Sequence, residues 1–289
     1  MTLTQKIVMI YQEQGLKKLM GIVFQRIFRK KAKTFPLIKQ LIAHQSGIEI
    51  GGPSPIFAKG SFLPLYPHID HLDNCNFSTQ TLWNKDLKEG LGYSYHPTKQ
   101  QGYQFIHDAI DLTSIQSDKY DFLLSSHVLE HIANPIKALR EWKRILRPNG
   151  HLILLLPHKD GTFDHKRPTT SLNHLIEDYA HNIGEDDLTH LEEILALHDF
   201  SQDAGSENYE RFKVRSYDNI HNRALHHHVF TTPLLAQLID HLGLQIKSIE
   251  AIKPMHVLLV AQKISSGTQP NNSAYLASPL HSIFPSDVS

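Results

Sequence analysis

Four groupings of residues in this sequence could do chemistry. The first is His127, Glu130 and His131, which spell His-x-x-Glu-His. On a helix that spacing sets two imidazoles on one face with a carboxylate beside them, the pattern of a zinc hydrolase. The second is the run from Pro157 to Pro168, which carries His158, Asp160, Asp164, His165 and Arg167. Its imidazoles and carboxylates are able to move protons, and the Arg167 guanidinium is able to grip an anion through two bonds. The same groups equally suit a loop tied down by its own polar contacts. The third is Glu49 followed by Gly51 and Gly52, a glycine turn after an apolar stretch, where backbone can approach a ligand closely. The fourth is His226, His227 and His228. Neighbours on a strand point to opposite faces, so at most two share a site, and a solvated surface cluster is the expectation.

These residues need a scaffold. From Gly47 the pattern alternates strand and helix, which predicts a parallel sheet covered on both faces. Gly47–Gly51 reads as a first strand, Leu63–Asp70 as a weak second, Tyr103–Ile106 as a third and Tyr120–Ser125 as a strong fourth. A helix follows: Asn134 is its N-cap, Pro135 its first residue, and Leu139, Trp142, Ile145 and Leu146 its apolar stripe. Pro148, Asn149 and Gly150 stop it, and the apolar run His151–Leu156 reads as a strand buried on both faces. Residues 158–229 are polar, rich in His and Asp, and break the rhythm as an insertion would. A helix over Thr232–Leu242 and two strands, Leu244–Ile252 and His256–Gln262, close the domain. The domain is expected over residues 46–264, preceded by a basic helical extension over 1–45 and followed by a disordered tail over 265–289.

Together these pieces resemble the class I S-adenosylmethionine-dependent methyltransferase family. Four segments carry the resemblance: Gly-Ile-Glu-Ile-Gly-Gly-Pro-Ser-Pro at 47–55, Ile-Asp-His-Leu-Asp at 69–73, Tyr-Asp-Phe-Leu-Leu-Ser-Ser-His-Val-Leu-Glu-His at 120–131, and Ile-Leu-Arg-Pro-Asn-Gly-His-Leu-Ile-Leu-Leu-Leu-Pro at 145–157. It implies a three-layer Rossmann-like α/β sandwich, with a mostly parallel seven-stranded sheet whose last strand is antiparallel. It also implies S-adenosylmethionine as cofactor. Glu49 would act near the methionine amino group, Gly51 and Gly52 would let the chain pass the cofactor, and Asp70, with Asp73 as alternative, would accept the ribose hydroxyls. Asp108 and Ala109 would meet the adenine, and Ser125, Ser126 and His127 would line the methionine side. One departure stands out: the family repeats glycine at alternate positions, where this chain has Pro53 and Pro55. Glu49 also suits a structural cap or an ion pair.

The resemblance sharpens the other groupings. His127-x-x-Glu130-His131 follows a buried strand, where the methyltransferase family carries the same string, so a zinc hydrolase is the weaker reading and no metal is expected. The insertion leaves the carboxyl end of a strand and should overhang the cleft. An oxygen acceptor must lose a proton, so His158, Asp160, Asp164 and His165 are candidate bases, His158 foremost, and Arg167 a candidate substrate grip. The expected acceptor is a small-molecule or saccharide hydroxyl. A cofactor-binding scaffold without catalysis is the contrasting class.

Composition narrows the partners. Lys plus Arg and Asp plus Glu are each 29, so no global field or basic groove favours nucleic acid. With one cysteine, Cys75, there is no intrachain disulfide. No secretory signal or apolar run of roughly 20 residues is present, and a cytoplasmic location is the expectation. Residues 16–33 interleave Leu, Ile and Phe with Lys and Arg. That suits a helix packed on the domain or, less simply, peripheral contact with an anionic membrane.

Overall fold

The computed structural model describes residues 30–203, 208–277 and 283–288. The expected N-terminal helix and its membrane contact fall mostly on residues outside these. No helix among the described residues is long and apolar enough to cross a membrane.

The strands are β1 (Ser46–Ile50), β2 (His71–Asn76), β3 (Gly90–Tyr93), β4 (Gly102–Ile106), β5 (Tyr120–Ser126), β6 (Leu146–Pro157), β7 (Gln245–Ile252) and β8 (His256–Gln262). The helices are α1 (Phe35–Ile42), α2 (Pro135–Ile145), α3 (Leu172–Ala180), α4 (Leu191–Leu197), α5 (Tyr209–Tyr217), α6 (Asn219–Asn222), α7 (Thr232–His241) and α8 (Ser273–Leu276). All strands join one sheet in the order β3-β4-β2-β1-β5-β6-β8-β7. The five strands β4, β2, β1, β5 and β6 run parallel, β8 is antiparallel to β6, and β7 is antiparallel to β8. This is the expected mixed α/β sheet with one strand more than the seven anticipated. The extra strand is β3, antiparallel at the edge. Gly90 and Gly92, both at positive φ, and a register shift hide it from any alternation pattern.

Two apolar layers cover the sheet. On one face α2 and α7 bury Leu139, Trp142, Leu235 and Ile239 against Ile48, Leu123 and Leu154. On the other, Ile38 and Ile42 of α1 and the loop residues Phe57, Leu63, Leu65 and Ile69 pack against Phe122, Leu124 and Ile153. α2 starts where the sequence places it. The Asn134 side chain accepts a bond from Lys137 N, Pro135 opens the first turn, and the stripe Ile136, Leu139, Trp142, Ile145 is buried. Its Trp142 indole donates to Ala109 O at 3.0 Å, fixing the loop after β4.

Two expectations need correction. The second strand spans His71–Asn76 rather than 63–70. The apolar run Phe62–Leu65 instead belongs to a buried loop, and the true strand carries the buried polar residues Asp73, Asn74 and Asn76. The tail is also ordered where described. Asn272 is buried and bonds to Gln245, Ile246, Leu244 O and Asp240, while Phe284 and Asp287 pack beneath the lid.

Candidate active site

The site is a cavity of about 530 Å³ at the carboxyl ends of β1, β2, β4 and β5. A crevice at this edge is where open parallel sheets bind ligands. Its floor is the turn after β1, and that turn is held from three sides. Gly51 N donates to Cys75 O at 2.8 Å. Asn74 exchanges two bonds of 3.0 Å with the Gly52 backbone, and Asn76 Nδ2 adds a third to Gly52 O. Ser54 N donates to Glu49 Oε1 at 3.0 Å. Gly51 sits at φ +83°, which favours glycine, and a side chain there would strike Val128.

Glu49 is therefore behind the turn and does not line the cavity. It is 1 % exposed and accepts bonds from Tyr93 Oη at 2.6 Å and Tyr66 Oη at 2.8 Å. Burial pushes its carboxyl up to about 7, against the opposing pull of the Tyr93 and Tyr66 hydroxyls and Ser54 N–H. Tyr93 comes from β3, so the unexpected edge strand locks the acid that in turn locks the turn. Gly52 lies against the same carboxylate, where an added Cβ would fall 2.4 Å from Glu49 Oε2.

Asp70 is not at the cavity. It precedes β2, at the opposite edge of the sheet, half-exposed and paired with Lys99 at 3.1 Å and His44 at 3.2 Å. The displaced strand explains the error, because an acid read as ending the strand in fact starts it. Asp73 is no substitute. It is buried within β2 and accepts from Tyr120 Oη at 2.6 Å and Tyr103 N at 2.8 Å. The residue that ends β2 and reaches the cavity is Asn76.

Asp108, Ala109, Ser126 and His127 line the cavity as expected, while Ser125 is fully buried just behind. The Ser126 hydroxyl is buried with no hydrogen-bond partner among the described residues, an orphan that a bound ligand can satisfy. His127 adopts φ 55°, a left-handed conformation costly for a residue with a side chain, and so turns the chain sharply out of β5. Its Nδ1 lies 3.5 Å from Glu130 Oε1 and its Nε2 lies 3.1 Å from His256 Nδ1.

The insertion does overhang the cleft, but through residues not anticipated. Arg223 Nη2 pairs with Asp108 Oδ2 at 2.9 Å and its Nη1 with Glu185 Oε2 at 3.0 Å. Arg223, Glu185 and His131 thus join Trp83, Phe77 and Asn84 in the wall. Burial and the neighbouring His226 hold the His131 imidazole down at about 3, so it is neutral near pH 7. Of these, the sequence singles out His131 alone, in the His-x-x-Glu-His string; Trp83, a large aromatic side chain in a polar loop, is the further signal it offers. Trp83 remains 59 % exposed, with its ring 5.2 Å from that of His131.

None of His158, Asp160, Asp164, His165 or Arg167 lines the cavity. They anchor the lid instead. His158 is fully buried, stacks on Phe284, donates from Nε2 to Asp287 Oδ1 at 2.9 Å and accepts from Asp160 N at Nδ1. That set of partners fixes its tautomer. Asp160 accepts from Ser286 N at 2.8 Å, and His165 meets Asp199 at 2.8 Å. Arg167 is 2 % exposed and bonds to Asp164, Glu193 and the carbonyls of His226 and His227. Burial opposes charge on Asp164, but His226 and Arg167 outweigh it and hold the carboxyl at about 2. The expected solvated cluster is corrected too: His226, His227 and His228 are all buried. The His-x-x-Glu-His string lies on a left-handed residue and one 3₁₀ turn rather than an α-helix, so its two imidazoles share no helical face.

Residues 84–154, from the loop before β3 to the middle of β6, match the family described as a methyltransferase domain. Over this stretch the chain is similar to a methyltransferase domain. The match takes in β4, β5, α2 and the cavity residues Asp108, Ser126 and His127. No curated protein matches the chain. Among solved structures it is similar to a SAM-dependent methyltransferase from Aquifex aeolicus, at 10 % identity and TM-score 0.44 over 83 % of this chain and 92 % of that one. A second is an S-adenosylmethionine-dependent methyltransferase from Mesorhizobium loti, at 14 % identity and TM-score 0.45 over 80 % and 98 %. A third is the 1,6-didemethyltoxoflavin-N1-methyltransferase of Burkholderia thailandensis, at 12 % identity and TM-score 0.42 over 91 % and 88 %.

Proposed function

We propose that this protein transfers a methyl group from S-adenosylmethionine to a small-molecule or saccharide hydroxyl. The observation that carries the reading is the cavity at the carboxyl edge of the sheet, floored by a glycine turn and lined in part by Asp108, Ala109, Ser126 and His127 from the stretch similar to a methyltransferase domain. Its residues fit the donor. Asp108 and Ala109 meet the adenine, Asn76 takes the ribose position at the end of β2, and the orphan Ser126 hydroxyl and His127 meet the methionine side. Bound there, the sulfonium supplies an electrophilic methyl group for in-line displacement.

The acceptor lies against Trp83, His131, Glu185 and Arg223, an aromatic ring beside polar groups, which suits a hydroxylated ring compound. Arg223 takes the role that the sequence suggests for Arg167, and His127 the role that it suggests for His158. Glu130, 1 % exposed, faces His127 Nδ1 and orients the ring, as a carboxylate orients a base elsewhere. Enclosure by the lid aligns donor and acceptor and excludes water.

The test is an acceptor screen with labelled methyl donor, repeated with His127→Ala. The expected result is label on a hydroxyl of a small molecule or sugar, with turnover at saturating donor about 10²- to 10⁴-fold lower in the variant. Equal turnover in the variant, or label found only on nitrogen or on macromolecules, overturns it.

A further inference from the structure

Away from the cavity, the lid gathers side chains whose hydrogen-bonding needs its own contacts leave unmet. His174 and Asp178 lie one turn apart on α3 and so share a face. His190 just precedes α4, and His228 ends the histidine triplet. His174 Nε2 is 3.0 Å from His190 Nε2, and 3.4 Å from Asp178 Oδ2. His228 Nε2 is 3.7 Å from that same oxygen and 3.2 Å from Ala133 O. Ligand atoms of His174, Asp178 and His228 all lie within 4.8 Å of one another. The three imidazoles lie around one point, with ring centroids 4.9, 5.8 and 6.2 Å apart.

Hydrogen bonding alone accounts poorly for this cluster. Asp178 is 8 % exposed, yet its Oδ2 accepts no bond, and His228, 2 % exposed, leaves Nδ1 without a partner. A buried acceptor without a donor is left with its desolvation uncompensated. A tetrahedral zinc ion with bonds of about 2.0–2.1 Å holds its ligands about 3.3–3.4 Å apart. The separations of 3.4 and 3.7 Å from Asp178 Oδ2 to the His174 and His228 imidazoles lie close to that value.

We propose that His174, Asp178 and His228 bind a zinc ion that staples the lid, with water as the fourth ligand. Two imidazoles and one carboxylate are a ligand set of intermediate softness, which suits zinc rather than calcium or magnesium. His174 is one-third exposed and opens a path for the ion. The ion joins α3 to the histidine segment, and His190 before α4 bonds to His174 at 3.0 Å. Asp178 O in turn accepts from the Asn134 side chain that caps α2, so the staple is continuous with the core. A second set, Glu130, His131 and His226, is similarly close, but there His226 Nδ1 is committed to Asp164 at 2.5 Å and His131 Nδ1 to Leu225 O.

The test is zinc content of the untagged full chain after dialysis against zinc-buffered solution, together with the visible spectrum of the cobalt-loaded protein. About one zinc per chain is expected, with the strong d–d absorption of tetrahedral cobalt. His174→Ala and Asp178→Asn should each weaken zinc at least about 10-fold. His181→Ala, an exposed histidine outside the cluster, should not. Wild-type protein that takes up no stoichiometric zinc, or loses it with His131→Ala rather than Asp178→Asn, overturns the proposal. So does a weakly absorbing cobalt spectrum of wild-type protein, a readout that stands even if the variants fail to fold.

Discussion

Replacing Glu49 with glutamine should change how stability depends on pH. The carboxyl is fully buried and raised from 4.5 to about 7 in the folded protein. An acid with a raised folded pKa favours the native state while it is protonated there and ionised in the unfolded chain. Its contribution is therefore largest near and below pH 4.5 and is lost as pH rises through about 7. A shift of roughly 2.5 units at 1.36 kcal/mol per unit gives at most about 3 kcal/mol, of which about 2.5 falls between pH 5 and pH 8. Urea unfolding of wild type and Glu49→Gln at both pH values isolates it. Lost bonds to Tyr66, Tyr93 and Ser54 add a roughly constant offset, and other titrating groups cancel in the difference. The wild-type advantage over the variant should shrink by about 2–3 kcal/mol from pH 5 to pH 8. A difference that stays constant within about 0.5 kcal/mol would refute the burial argument and with it the locked turn.

Gly52→Ala should destabilise the protein by about 1–3 kcal/mol and weaken donor binding together, because the new methyl group meets Glu49 and Tyr93 below 3 Å. Denaturant melts and calorimetry read both; a neutral variant shows that the turn is soft. Asp287→Ala strips a partner from His158 and from Thr232 N, so it should cost about 2–3 kcal/mol while leaving donor affinity unchanged. Lost turnover at full stability would instead return His158 to catalysis. Asp164→Asn should destabilise by about 2 kcal/mol at pH 7, with the deficit vanishing towards pH 2, because the native carboxylate held by His226 and Arg167 is then protonated. Acid titrations of both proteins would reveal a deficit that persists.

The segments legible in sequence were those whose local signals and burial agree. β5 and β6 are continuous apolar runs buried on both faces, and α2 has a cap, a proline and a stripe that point to one answer. β2 was misplaced because its polar Asp73, Asn74 and Asn76 are satisfied by partners 22 to 47 residues away, while the apolar run before it packs as a loop. The same slip took Asp70 for the cavity acid. For the lid, the pairs His158–Asp287 and Arg223–Asp108 span 129 and 115 residues. Residue type marked these side chains as reactive, but only their distant partners decide which ones anchor and which face the cavity. Asp108, Ser126 and His127 were placed correctly because the end of a parallel strand dictates where its last residues point.

The most direct test is calorimetric titration with S-adenosylhomocysteine of wild type, Asp108→Ala and Asp70→Ala. One saturable site is expected in the wild type, weakened about 10- to 100-fold in Asp108→Ala, as loss of a charge-assisted bond implies. Asp70→Ala, changed at the far edge of the sheet, should bind as wild type does. No binding by the wild type, or binding lost in Asp70→Ala but kept in Asp108→Ala, would contradict a donor site at the carboxyl ends of β1, β2, β4 and β5.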